Sequence, residues 1–354
     1  MSEKREGFYS KVVTDNPETK EELTEILKSI FKEPITEQGV YALEQHEAKL
    51  AMEIYRKLCH FLEQFGAVAI HNFTENRILQ LNIQELPQPL QKQFRERLPK
   101  AEANYGGFVH AIAQCIILLR KQSSDLMFAR TISHELIHLL SFNSAQLIPA
   151  KDSPIPMPAK ISVQRKRTDS QTSEELVLFP RRLGFVVIID GKQSAFNDFE
   201  EAITTELAIR FEEQYFSDIP LLYDAIEEHN RNVGDINKDI LFQDAKDDGE
   251  IAKAEKKNSG QHTIMTTKSY EYPSERNKLR NLIRIIYEYH RDKYANEDAV
   301  FAVFARAKFT GKLLEVARLI EHTFGKGSFR RIGIETGKKP IQNVSASASE
   351  PRVP

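Results

Sequence analysis

The sequence predicts an α+β fold, with helical regions at both ends and a small mixed or antiparallel sheet between them, beside two further helices. Apolar residues recur at helical spacing from Lys20 to Phe65 and again from Glu275 to Phe324. Extended runs rich in Val, Ile and Leu occupy Phe108 to Leu119 and Ile161 to Ile189. Two helical stretches, Leu126 to Leu140 and Ser194 to Phe216, stand on either side of the second run.

Residues 1–17 are polar and expected to be flexible. Leu23, Ile26, Leu27, Ile30 and Phe31 predict a helix over Lys20 to Lys32. Leu43, Leu50, Ile54, Leu58 and Leu62 predict a longer one over Glu37 to Phe65, closed by Gly66. Ala67 to His71 and Ile78 to Ile83 read as strands, and Pro87 to Leu98 as a short helix. Tyr105-Gly106-Gly107 opens the extended run to Leu119, which reads as one strand entering the core. Ser123, Ser124 and Asp125 supply a cap, after which Leu126 to Leu140 run without Gly or Pro. Leu147 to Lys160 is a proline-rich loop. Ile161 to Thr168 and Glu174 to Ile189 follow as strands joined through Asp169-Ser170-Gln171, and their five arginines and lysines suit a solvated face.

Beyond the helix Ser194 to Phe216, Ile219 to Arg231 is helical and 235–260 is a charged, exposed connection. Ser274 is placed to cap a helix running to Tyr294, with Glu297 to Ala307 and Gly311 to Phe324 after it. Gly325-Lys326-Gly327 ends the set, and Ser, Ala and Pro dominate from Lys338 onward. The expected organisation is a flexible 1–17, a mainly helical 18–100, a metal-binding core 101–217, a helical 218–335 and a disordered tail 336–354.

Composition excludes several classes. Charged residues make up 28% of 354 but nearly cancel at a net −2, so no global field favours nucleic acid or an anionic membrane. There is no helix-turn-helix signature, stacking-aromatic motif or Gly-rich phosphate loop. The longest apolar runs fall far short of a membrane span, and Met1-Ser2-Glu3-Lys4-Arg5-Glu6 has no apolar stretch behind it. Cys59 and Cys115, the only cysteines, sit inside apolar runs as small hydrophobes. A cytoplasmic protein is expected.

The chemistry lies in Ser133-His134-Glu135-Leu136-Ile137-His138, an H-E-x-x-H. On a helix, residues four apart stack on one face, so His134 and His138 can grip one metal ion, most often zinc. Glu135, about 100° round the helix, can reach a zinc-bound water without displacing it. Ile132, Leu136 and Leu140 fall on the opposite face, as a buried helix requires. Catalytic zinc takes a third protein ligand and keeps a fourth position open. No histidine follows His138 closely, so a carboxylate from the later helix is expected, with Asp198, Glu200, Glu201 and Glu206 available.

Together the two helices resemble the gluzincin branch of the zinc metallopeptidases, in which H-E-x-x-H is followed by a second helix carrying the third ligand, often as N-E-x-x-S/T-D. Glu200-Glu201-Ala202-Ile203-Thr204-Thr205 looks like that segment, covering with the first motif about residues 105 to 216. The resemblance implies zinc held by His134, His138 and Glu201, with Glu135 as general base in peptide-bond hydrolysis. It also implies a Tyr or His beside the metal: Tyr270 is the candidate, with Tyr272, Tyr223, His229 and His262 conceivable. In zinc peptidases an edge strand above the metal binds the substrate backbone, a role open to Phe108 onward alongside that of an ordinary core strand. Two departures stand out: Glu200 replaces the usual Asn, and Thr205 replaces the Asp that supports a metal-binding histidine, so that support is unassigned. The partners implied are a peptide or protein substrate and a possible regulatory protein. The alternative is a degenerate zincin that binds a partner around a structural or vestigial metal site.

Overall fold

The computed structural model describes residues 8–13, 25, 27, 39–86, 88, 106–110, 114–119, 124–149, 162–166, 173–189, 193–235 and 272–337. It is an α+β fold with two small mixed sheets and a helical C-terminal region.

Helix α1 (Gln45–Glu63) starts later than its apolar stripe suggests. Gly39 takes a left-handed φ of +80°, and Val40–Ala42 form β2, antiparallel to β3 (Ile78–Leu81). Glu47 Oε2 then accepts the Glu44 N–H at 3.1 Å, closing the first turn of α1. Leu50, Ile54, Leu58 and Leu62 are fully buried, each contributing ~1.5–3 kcal/mol by leaving water.

The extended run beginning at Phe108 is not one strand. It folds into β4 (Gly107–His110) and β5 (Cys115–Leu118), paired antiparallel. Gln114 turns the chain at φ +53° and is held there from outside: its Oε1 accepts the Phe8 N–H at 3.2 Å and its Nε2 donates to Leu27 O at 2.9 Å. This sheet runs β2-β3-β5-β4, so β4 is its outer strand among the described residues. Ala67 to His71 forms no strand, since only Ile70 makes an isolated bridge.

The second sheet runs β1-β6-β8-β9-β10, with β7 (Ser162–Lys166) also on β8. It contains β1 (Lys11–Val13), β6 (Asn143–Pro149), β8 (Ser173–Leu183), β9 (Val186–Ile188) and β10 (Ser194–Ala195). The expected proline loop therefore begins as a strand through Pro149, and 150–160 lie outside the described residues. The helices predicted over Lys20 to Lys32 and Pro87 to Leu98 also lie largely outside them.

Helices α2 (Asp125–Leu140) and α3 (Asn197–Tyr215) pack together between the sheets and the C-terminal helices. Those are α4 (Tyr223–Asp235), α5 (Pro273–Tyr289), α6 (Glu297–Thr310), α7 (Leu313–Phe324) and α8 (Ser328–Glu335). The first of the C-terminal group after the connection has Tyr272 rather than Ser274 at its N-cap, and the glycines after Phe324 lead into α8 instead of ending the set. One apolar cluster runs through α1, α2, α3, α5, α6 and α7. Among the described residues no helix is long and apolar enough to cross a membrane.

Candidate metal centre

Helix α2 is capped by Ser124, whose Oγ accepts the Met127 N–H at 3.3 Å. Ile132, Leu136 and Leu140 are buried, which commits the opposite face to the cavity. His134 and His138 share that face, with Nε2 atoms 3.1 Å apart. Helix α3 approaches with its first turn fixed. The Phe196 and Asp198 N–H groups donate to Gly333 O and Thr336 O at the end of α8, both at 2.9 Å. Glu201, one turn in, places Oε2 3.3 Å from His134 Nε2 and 3.4 Å from His138 Nε2.

Two nitrogens and one oxygen thus form a nearly equilateral triangle with edges of 3.1, 3.3 and 3.4 Å. Three ligands ~2.0–2.1 Å from a tetrahedral zinc ion stand ~3.3 Å from one another. The donor set and its spacing fit zinc, and the same three side chains form the metal-compatible group among the described residues. Burial disfavours the charged form of His138, but the charge of Glu201 and the hydrogen bonds that His138 donates to Glu200 and Glu201 outweigh it and push its pKa up to about 10. Glu201 is correspondingly held well below the usual carboxylate range, the two histidines overcoming its burial.

Glu200 supplies the support that Thr205 does not. Its Oε1 lies 2.8 Å from His138 Nδ1, and a carboxylate there makes Nδ1 the donor and leaves Nε2 for a metal. Its Oε2 accepts the Phe185 N–H at 2.6 Å, and Lys308 Nζ from α6 donates to Oε1 and, at 2.8 Å, to Thr204 Oγ1. Lys308 and His138 outweigh the effect of burial and hold the Glu200 carboxyl at about 2. Burial pulls the Lys308 pKa down against the attraction of Glu200. Thr205 Oγ1 is buried on the cavity wall with no hydrogen-bond partner among the described residues.

The group opens into a cavity of about 450 Å³ bounded by β4, α2 and α3. Glu135 lines it beside His134. A Cβ on Gly106 would stand 2.8 Å from Thr131 Cγ2, so this glycine lets the start of β4 lie close against α2, while one on Gly107 would stand 2.9 Å from Ile117 O on the paired β5. Arg130 and Glu212 meet in a 2.6 Å ion pair on the same wall.

Tyr270 lies outside the described residues, as does His262. Tyr272 lines the cavity, its ring 6.2 Å from that of His134 and nearly parallel to it. Its φ of +60° puts a bulky residue in the left-handed region, a strain of ~1–2 kcal/mol. Tyr223 and His229, on α4, are not among the cavity-lining residues. The other carboxylates available as third ligand are engaged elsewhere: Asp198 with Lys278, and Glu206 with Arg210, Arg276 and Arg280.

Lys308 is the site residue that sequence reasoning misses. Its signal is a lysine on the stripe of Val300, Phe301 and Phe304, the buried face of α6. No family model, curated protein or solved structure matches this chain.

Proposed function

We propose that the chain is a zinc-dependent metallopeptidase, a hydrolase of gluzincin type acting on peptide bonds. The observation that carries this reading is the triangle of His134 Nε2, His138 Nε2 and Glu201 Oε2, with Glu135 on the same helix facing the same cavity. When bound by these three residues, zinc would act as a Lewis acid on the scissile carbonyl and acidify a water. Glu135 takes the proton of the attacking water and returns it to the leaving amine nitrogen. Glu200 keeps His138 in the tautomer that can ligate. A purely structural zinc site has no need of Glu135, which favours an enzyme over a partner-binding protein with a vestigial site. Among the described tyrosines Tyr272 alone lines the cavity, which supports it as the residue that would face the carbonyl oxygen of a substrate. Cys59 and Cys115 form no disulfide, which fits a cytoplasmic setting.

The test is zinc content and peptide-library turnover of wild type beside Glu135→Gln. The wild type should hold about one zinc per chain, and the variant should keep it while losing ~10²–10⁴-fold in turnover. Near-wild-type turnover in the variant would refute the role of Glu135. A zinc-loaded wild type that cleaves nothing would favour the partner-binding alternative.

A further inference from the structure

We propose that Lys308 is a positioning residue of the metal centre: from α6 it locks the Glu200 carboxylate in the orientation that receives His138 Nδ1–H. This rests on the metal-site reading above but not on the reaction.

Lys308 is completely buried, and its ammonium reaches two acceptors, Glu200 Oε1 and Thr204 Oγ1. Both belong to the first turns of α3, and Thr204 Oγ1 in turn donates to Glu200 O at 2.7 Å. The lysine therefore grips the helix turn that carries Glu201 as well as the carboxylate that orients His138. A buried ammonium is costly to place, and here its hydrogen bonds go to the support of a metal-ligand candidate.

The helix that carries Lys308 is itself fixed to the site. Lys308 O accepts the Phe142 N–H at 2.9 Å, just beyond the end of α2. Arg182 donates to Gly311 O at 2.5 Å and Ala307 O at 3.3 Å, at the C-terminal end of α6, and to Gly184 O at 2.7 Å. Gly184 precedes Phe185, whose N–H holds the other oxygen of Glu200. The Glu200 carboxylate is thus held at both oxygens by elements that also bind each other, which leaves one orientation for the bond to His138.

Charge completes the case. With zinc bound, Glu201 and Glu200 would together offset its charge, and the Lys308 ammonium on Glu200 would compensate the supporting carboxylate, so that the support need not weaken the Lewis acid.

The experiment measures Co²⁺ and Zn²⁺ affinity by chelator competition, together with the visible Co²⁺ absorption spectrum, for wild type, Lys308→Met, Glu200→Gln and the double variant. Lys308→Met should weaken both metals ten- to hundred-fold and alter the Co²⁺ spectrum, because the ring that ligates has lost its fixed orientation. Since Lys308 acts through Glu200, the double variant should bind as Glu200→Gln does, within about threefold. A lysine that only fills the core would lower the unfolding midpoint and leave the affinity and spectrum of Lys308→Met unchanged, which overturns the proposal. If Lys308→Met does not fold, Lys308→Gln, which keeps a polar side chain but no charge, takes its place: weakened metal binding with an altered Co²⁺ spectrum supports the proposal, and wild-type affinity and spectrum overturn it. A wild type that binds neither metal removes the metal centre itself, an outcome distinct from wild-type binding that Lys308→Met retains.

Discussion

Gly184→Ala is the sharpest probe of how the site is built. Gly184 lies at φ +59° between β8 and β9, and a Cβ there would stand 2.6 Å from Glu200 Oε1, 2.7 Å from Cδ and nearer still to Oε2. Real Cβ atoms do not approach so closely, so the carboxylate must move. It cannot move without losing Phe185 N–H, His138 Nδ1 or Lys308. Left-handed backbone costs alanine ~1 kcal/mol, and breaking a buried ion pair adds ~3 kcal/mol. The sum of about 4 kcal/mol should lower the urea midpoint by on the order of 1 M. Gly327→Ala is the control, since Gly327 has φ +84° and a Cβ added there would meet no atom within 4 Å. It should cost ~1 kcal/mol and leave Co²⁺ affinity intact, whereas Gly184→Ala should weaken it. Equal midpoints for the two variants with undiminished Co²⁺ binding in both would refute the claim that Gly184 makes room for the carboxylate.

Glu201→Ala should lose zinc, read by metal analysis after dialysis; full occupancy in that variant would move the third ligand elsewhere. Zinc affinity should rise with pH. In the metal-free protein His138 holds its proton up to about 10, above its ordinary 6.5, so binding at neutral pH must displace that proton. The protonated His138–Glu201 contact stabilises the metal-free fold fully below 6.5, and that contribution is lost as pH rises through about 10. Apparent affinity should therefore climb up to about tenfold per unit between ~7 and ~10; a flat titration would contradict the raised pKa. At the acid end, the folded-state depression of Glu200 contributes stability above its ordinary 4.5 that is lost as pH falls through about 2. Glu200→Gln should flatten that part of the acid-unfolding curve, and an unchanged curve would argue against the Lys308–Glu200 pair.

What can be read from the sequence is what helix geometry fixes locally. His134 and His138 meet because four residues make one turn, and the buried face of Ile132, Leu136 and Leu140 follows from the same period. Glu201 is legible only through its likeness to a known segment, and it stands beside both histidines. Glu200 reads as one more candidate ligand because a carboxylate in a sequence does not say which nitrogen it faces; only the packing of α3 on α2 puts it on Nδ1. The break between β4 and β5 is hidden because Gln114 turns without Gly or Pro, held by Phe8 and Leu27 far away in the chain. The late start of α1 is hidden in another way. Leu43 continues its stripe, while Val40–Ala42 are claimed by pairing with β3. In each case a long-range contact overrides a local pattern.

The C-terminal helices complete the candidate site as well as burying apolar surface. Helix α8 accepts the N–H groups that fix the first turn of α3, α5 begins at the strained Tyr272 beside His134, and α6 brings Lys308 to Glu200. Each contact reaches a different part of the same small group, and each comes from more than 60 residues beyond it in the chain, a separation over which ordering entropy has to be offset by burial. A helix added only for bulk would have no reason to place its one fully buried lysine on the carboxylate behind a histidine of the metal triangle. The charge arrangement points the same way. A neutral amide at this position, as the Asn of the resembled segment would suggest by type, could also accept from His138, but it would leave the buried Lys308 ammonium without a counter-charge. Carboxylate and ammonium therefore make sense as a unit: the pair gives His138 a strong, oriented acceptor, and on the proposed metal-site reading it would do so without adding an uncompensated negative charge beside the ion.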